Sequence, residues 1–312
     1  MTQTNDRIIS LPMLAALVNS VLWGSALVAV KVALDAYDPI FVVFIRLLLA
    51  GVIMTPLVIR LDYLKLIKTI SKRDWLLLFI CVMGDPCIYF LFEELALVYT
   101  SAAQAGVMWS IEPVMAAIAG WLILKEKVRN LGYLGFIVAM AGVIMLSLFS
   151  EATEHAPNPI LGNILELVSL CGTIAFVIVL RYLGGRYPFI FVVWIQSLFA
   201  ALFFAPGLAL PMVSLPTEFP LLPTLAVLYL GLVISSCAQS LAAYAAGNLP
   251  VARYSLVTNL TPINAVIMGM VLLGESLTNM QFAAIAIVVA GVYLTHQGTK
   301  EVPLKEPLGE GI

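Results

Sequence analysis

Six ionisable residues sit inside stretches that are otherwise apolar: Arg46, Asp85, Glu93, Glu94, Glu112 and Glu166. A charge at bilayer depth is costly, so such groups face a cavity or one another. Carboxylates placed there bind cations or carry protons, while an arginine binds anions or neutralises acids. Counting helical rise puts Asp85 and Glu112 near the midplane and Arg46, Glu93 and Glu166 about 10 Å below one surface. At 100° per residue, Asp85, Tyr89 and Glu93 fall within an arc of about 80°, with Glu94 opposite Asp85. Asp85 and Glu93 are therefore expected to share a cavity face with Tyr89 between them. Arg46 has two readings, a substrate ligand or a structural partner of Glu93 or Glu166.

Uncharged groups add to this set. Thr258 and Asn259, followed by Thr261 and Asn264, bring polar side chains to the depth of Glu112. Trp23, Trp109 and Tyr89 offer aromatic walls for a substrate, or plain packing. Pro113 and Pro262 each break a helix and free the carbonyl four residues earlier, those of Trp109 and Thr258. Freed carbonyls must face protein or water, so both prolines are expected at hinges beside the site. Glu126 and Glu275 fall at membrane exits and read as loop or cap residues. Arg253 reads as an inner gate charge or a snorkelling side chain.

The elements that position these groups come in two copies. At an offset of 149, Ala103, Pro113, Ala116, Gly120, Glu126, Asn130 and Gly142 recur as Ala252, Pro262, Ala265, Gly269, Glu275, Asn279 and Gly291. The register of Pro, Gly, Glu and Asn marks an internal repeat. The pairs Ala116 with Gly120 and Ala265 with Gly269 predict close approach of the helices that carry them.

With 62% hydrophobic and 11% charged residues, the chain has too little polar surface for a soluble domain. An all-α integral membrane protein is expected. Ten spans of about 20 residues can be placed: 11–33, 39–60, 75–98, 101–124, 130–149, 159–182, 188–210, 221–246, 250–273 and 278–296. Residues 1–10 form an N-terminal tail, 11–149 the first repeat, 150–158 a linker, 159–296 the second repeat, and 297–312 a tail expected to be disordered. An odd number of spans per repeat makes the two five-helix repeats inverted.

Lys and Arg collect on one side, at Arg60, Lys65, Lys68, Lys72, Arg73, Lys125, Lys127, Arg129, Arg181 and Arg186, whereas the other side carries Asp35, Asp38, Glu151, Glu154 and Glu218. The basic side is expected to be cytoplasmic, with both termini, and the location the inner (plasma) membrane. The four cysteines lack metal-ligand spacing, and neither a metal nor a cofactor is expected.

Several of these residues resemble the EamA family of the drug/metabolite transporter superfamily. They are Trp23-Gly24-Ser25, Lys31, Arg46, Tyr99-Thr100-Ser101-Ala102-Ala103, Glu112-Pro113 and Leu124-Lys125-Glu126, repeated as Ala252-Arg253-Tyr254-Ser255, Thr261-Pro262 and Leu273-Gly274-Glu275. The resemblance implies ten helices, a central cavity, alternating access, and a substrate drawn from amino acids, sugars, nucleotide sugars, phosphorylated metabolites or amines. The four-helix multidrug members carry an acid in helix 1, which this chain lacks.

The chain thus reads as a secondary active transporter, taken as an exporter, for a small polar metabolite. Acids outnumber bases at depth, which favours an amino acid or amine over a phosphorylated or sugar substrate. Proton coupling is open, the partners are the substrate and membrane lipids, and oligomeric state is unread. The net charge of −2 argues against nucleic acid, and without a phosphate-binding Gly-rich loop no ATPase is expected. An intramembrane aspartyl protease would need two touching aspartates. Tyr37-Asp38 and Gly84-Asp85 resemble its motifs, but Val82 replaces a required glycine and Asp38 lies in a loop, so no enzyme is expected.

Overall fold

The computed structural model describes residues 10–123, 128–154, 156–183, 186–249, 254 and 257–298. Within them the chain is helical: α1 (Leu11–Leu34), α2 (Pro39–Arg60), α3 (Lys72–Val82), α4 (Tyr89–Tyr99), α5 (Ala102–Trp109), α6 (Glu112–Ile123), α7 (Asn130–Leu148), α8 (Pro159–Leu183), α9 (Phe189–Phe204), α10 (Leu221–Tyr229), α11 (Gln239–Asn248), α12 (Leu260–Leu272) and α13 (Asn279–Gly298). The starts are written locally. Asp38 accepts from the Ile40 N–H (2.9 Å) with Pro39 as first helical residue, and Ser71 and Ser101 cap α3 and α5 through the Asp74 and Gln104 N–H groups. Each cap satisfies a donor that the helix leaves unpaired.

Among the described residues, nine helical runs are long and apolar enough to cross a membrane, and Leu260–Leu272 is a shorter apolar helix. The predicted span 250–273 is this short helix, preceded by residues mostly outside the description. The tail beyond Gly298, Lys125, Glu126, Lys127 and Arg253 also lie outside it.

Four predicted spans are not continuous helices. The third, expected as one helix over 75–98, divides into α3 and α4 around a π-helical turn at Met83–Ile88, inside which Asp85 takes extended backbone angles. Pro86 follows directly, and proline disfavours helical geometry in the residue before it. The eighth contains a second π turn, Leu230–Ala238, between α10 and α11. The fourth breaks at Ser110–Ile111 between α5 and α6, and α12 starts after Asn259. In each pair the irregular segments lie about 149 positions apart in the sequence.

Packing pairs the same positions of the repeat. α2 lies on α9, α5 on α12 and α7 on α13, while α4 lies on α8 and α1 on α10 and α11. The α7–α13 contact is close enough that a Cβ on Gly291 would meet the Ala139 backbone nitrogen at 2.3 Å, so only glycine fits. The predicted approach of the fourth and ninth spans is found, through other residues on one side. Gly106 and Ala103 of α5, not Ala116 and Gly120, face Ala265 and Gly269 of α12.

Candidate functional site

Arg46 on α2 is wholly buried, as are Glu93, Glu94 and Glu166, all at 0–1% exposure. Its Nη1 donates to Glu94 Oε1 at 3.1 Å and lies 3.7 Å from Glu93 Oε2. Its Nε donates to Ser235 in the second π turn (3.3 Å), and the guanidinium lies over the Phe90 ring, 3.9 Å from the centroid. A planar ion that stacks and forks in this way is well suited to a dry site. The structural-partner reading of Arg46 thus describes its contacts, with one correction. Glu94, set opposite Asp85 by helical register and not among the partners expected for Arg46, contacts it more closely than Glu93 does, because a long guanidinium spans two adjacent residues of α4.

Tyr89 donates to Glu93 Oε1 (2.6 Å). On the neighbouring helix, Glu166 of α8 accepts from the Trp109 indole N–H (2.9 Å), and Ser169 donates to the Tyr89 carbonyl (3.0 Å). Trp109 is therefore anchored, and it meets Trp23 edge-on with centroids 6.4 Å apart. Glu166 is central to this cluster. Its place in an apolar stretch was visible in the sequence, but its pairing with the tryptophan at the end of α5 was not.

Asp85 and Glu112 differ from these sealed acids. Both are half-buried. Neither carboxylate has a hydrogen-bond or ion-pair partner among the described residues. The Asp85 backbone carbonyl accepts from Gln196 (2.6 Å), which holds the π turn open. A small cavity beside it is lined by Asp85, Phe90, Gln196, Ser235 and Gln239. The expected cavity face shared by Asp85 and Glu93 is altered by the π turn, which interrupts the helical register between them. Glu112 starts α6 directly after the break, with Pro113 exposed as the second residue. Thr258 donates to the Tyr254 carbonyl (3.3 Å), Asn259 is exposed and Pro262 half-buried. By burial the expected residues divide into sealed ones (Arg46, Tyr89, Glu93, Trp109) and more open ones (Trp23, Asp85, Glu112, Thr258, Asn259), with Trp23 meeting the sealed Trp109. Asp38, capping α2, is not part of either.

Two polar ties lie at opposite ends of the bundle. At one end Glu275 accepts from the N–H groups of Ala102 (2.8 Å) and Ala103 (2.7 Å), as the cap reading expects, which ties the turn after α12 to the start of α5. Gly274 makes the turn with φ of +67°, a conformation that glycine adopts freely. At the other end Asp74 accepts from Arg186 (2.8 and 3.1 Å) and from Tyr187 (2.8 Å). Burial, the hydrogen bond and the Asp74 charge push the Tyr187 hydroxyl up to about 12.

The profile of the EamA-like transporter family matches residues 10–148 and 161–296. The chain is 24% identical over 274 residues to the uncharacterized transporter YetK of Bacillus subtilis, covering 87% of this chain and 82% of that one. It is 26% identical over 155 residues to the uncharacterized inner membrane transporter YhbE of Escherichia coli K12, 48% of each. A solved crystal structure of a protein 18% identical in sequence shares the fold, with a TM-score of 0.61 over 93% of this chain and 97% of that chain. With both matches together spanning nearly all of a chain of apolar helices, the chain belongs to the EamA-like transporter family, and is a multi-pass membrane transporter.

Proposed function

We propose that this transporter moves a small polar metabolite bearing an amino group, an amine or an amino acid, by alternating access. One observation carries this reading. Among the described residues, the buried arginine, Arg46, is taken up by Glu93 and Glu94, which leaves Asp85 and Glu112 half-buried and without partners there, at the helix breaks. A cation gains from two such carboxylates, and a phosphorylated substrate is repelled by them. Trp23, which meets Trp109 edge-on, is the aromatic wall in this reading.

The packing supports two inverted five-helix repeats, 11–149 and 159–296, rocking about a shared site. The basic loops put both termini in the cytoplasm and the Glu275 clamp outside. In this state α5 is buried along its whole length, while in α6 only Val114 and Gly120 are buried. Export, with substrate loading from the cytoplasm, is the working direction in this reading. The membrane is the inner (plasma) membrane.

The test is a thermal-shift screen of the purified protein against amines, amino acids, nucleosides, sugars and sugar phosphates, followed by liposome transport of the hits. Ligands of the native state raise its melting temperature. Amines or amino acids should stabilise the protein, with the effect lost in Glu112→Gln and Asp85→Asn. Saturable transport of sugar phosphates, and not of amino compounds, overturns the reading.

A further inference from the structure

The sealed cluster has one positive group, Arg46, for three carboxyl groups, Glu93, Glu94 and Glu166, all at 0–1% exposure. Arg46 contacts Glu94 and Glu93. Glu166 has no ion-pair partner among the described residues. It accepts the Trp109 N–H on Oε1, and its Oε2 is buried without a hydrogen-bond partner among the described residues. An ionised carboxyl so placed is costly to bury, and a bound proton removes that cost. The titratable and charged groups on the elements packed around it do not relieve this. α4 carries Tyr89, Glu93 and Glu94, the π turn Asp85 and α6 Glu112; α3 carries Asp74, which is committed to Arg186, and Lys72 and Arg73, which are exposed. α5 offers only the neutral indole, and α7 offers Ser147, which is held by Asn163.

We propose that Glu166 is a proton-carrying site, distinct from the substrate carboxylates, whose occupancy is tied to the hinge of the fourth span. The tie is Trp109. It is the last residue of α5, directly before the break at Ser110–Ile111, and among the described residues its indole is the hydrogen-bond donor to Glu166. Bending at that break carries the indole away from the carboxyl and opens the site to water. The Glu166 O–H bond then breaks heterolytically, the proton passes to water, and the carboxylate left behind is stabilised by hydration. Returning to the sealed state requires a proton to be taken up again. Glu166 thereby gives the hinge a dependence on proton concentration. The protonation stands on the cluster alone, while its use in driving transport rests on the function proposed above.

Infrared difference spectroscopy of the protein in lipid at neutral pH tests the protonation directly. Wild type should show a protonated-carboxyl carbonyl band that is lost in Glu166→Gln, a substitution that keeps an acceptor for Trp109. Glu94→Gln should leave that band in place. Hydrogen exchange of the peptide spanning the break, corrected for intrinsic rates, should rise with pH in wild type and stay flat in Glu166→Gln. A spectrum with no band sensitive to Glu166→Gln, or equal pH dependence of exchange in both proteins, overturns the proposal. Neither readout uses a substrate, so failure here is distinct from failure to find transport.

Discussion

Tyr187 donates its hydroxyl hydrogen to Asp74 across 2.8 Å, joining the loop after α8 to the start of α3. At an offset of 150 in the sequence, Tyr37 and Thr224 join the loop after α1 to the start of α10 at 2.5 Å. The same contact therefore recurs between repeat-related positions, neutral in one copy and charged in the other. A contact repeated in this way fixes how each loop seats on the opposite half of the chain.

The charged copy has a pH signature. Tyr187 is held protonated by burial, by its bond to Asp74 and by that residue's charge. A raised value in the folded state means that the contribution is whole below the ordinary tyrosine value near 10. It is lost as pH rises through about 12. An ultraviolet titration of wild type minus Tyr187→Phe should give a midpoint near 12, and Asp74→Asn should move it back toward the ordinary value. A midpoint unmoved by Asp74→Asn would separate Tyr187 from Asp74.

Glu275 binds two N–H groups that α5 cannot satisfy within itself. A hydrogen bond to a charged group contributes roughly 1.5–3 kcal/mol. Glu275→Ala should therefore speed amide exchange at Ala102 and Ala103 by about tenfold or more. Glu275→Gln, which keeps one acceptor oxygen, should have a smaller effect. Exchange in Glu275→Ala indistinguishable from wild type would mean that the clamp does not hold the two halves together.

Much of this arrangement was legible in the sequence because it rests on local chemistry. The repeat register located the breaks beside Pro113 and Pro262, and the membrane-exit position of Glu275 marked it as a loop or cap residue. What was not legible depends on interruptions in helical register. Asp85 and Glu93 project onto one face only if the third span is continuous, and the π turn at Met83–Ile88 removes that premise. The signal was present as Gly84, Asp85 and Pro86 in succession, a poor helical sequence at mid-membrane. The pairing of Trp109 with Glu166 joins residues 57 apart on different helices, and no spacing rule reaches across such a contact.

Arg46 neutralises its acidic neighbours but is itself costly to bury. Removing it alone leaves Glu93 and Glu94 sealed without a counter-charge. Arg46→Met should destabilise the protein by about 3–5 kcal/mol, the usual result of breaking a buried pair from one side. Adding Glu94→Gln should recover part of that loss, since the remaining charge is smaller. Thermal unfolding of the single and double variants measures this coupling. Strictly additive losses would show that the two side chains act independently.

Pro113 tests whether the break in the fourth span is needed for movement. It is the second residue of α6, where the missing N–H would lack a helical partner in any case, so the folded state loses little by having it. Alanine at this position supplies an N–H that can reach the Trp109 carbonyl and continue the helix across Ser110–Ile111. That bond, worth about 1 kcal/mol, is available only when the break closes. Pro113→Ala should therefore raise the melting temperature slightly while slowing turnover about fivefold, which corresponds to that energy. Substrate affinity should change little, because Asp85 and Glu112 are retained. Pro262→Ala should act likewise through the Thr258 carbonyl. Liposome transport with a substrate from the thermal-shift screen separates the two quantities, and unchanged turnover in both variants would remove the breaks from the mechanism.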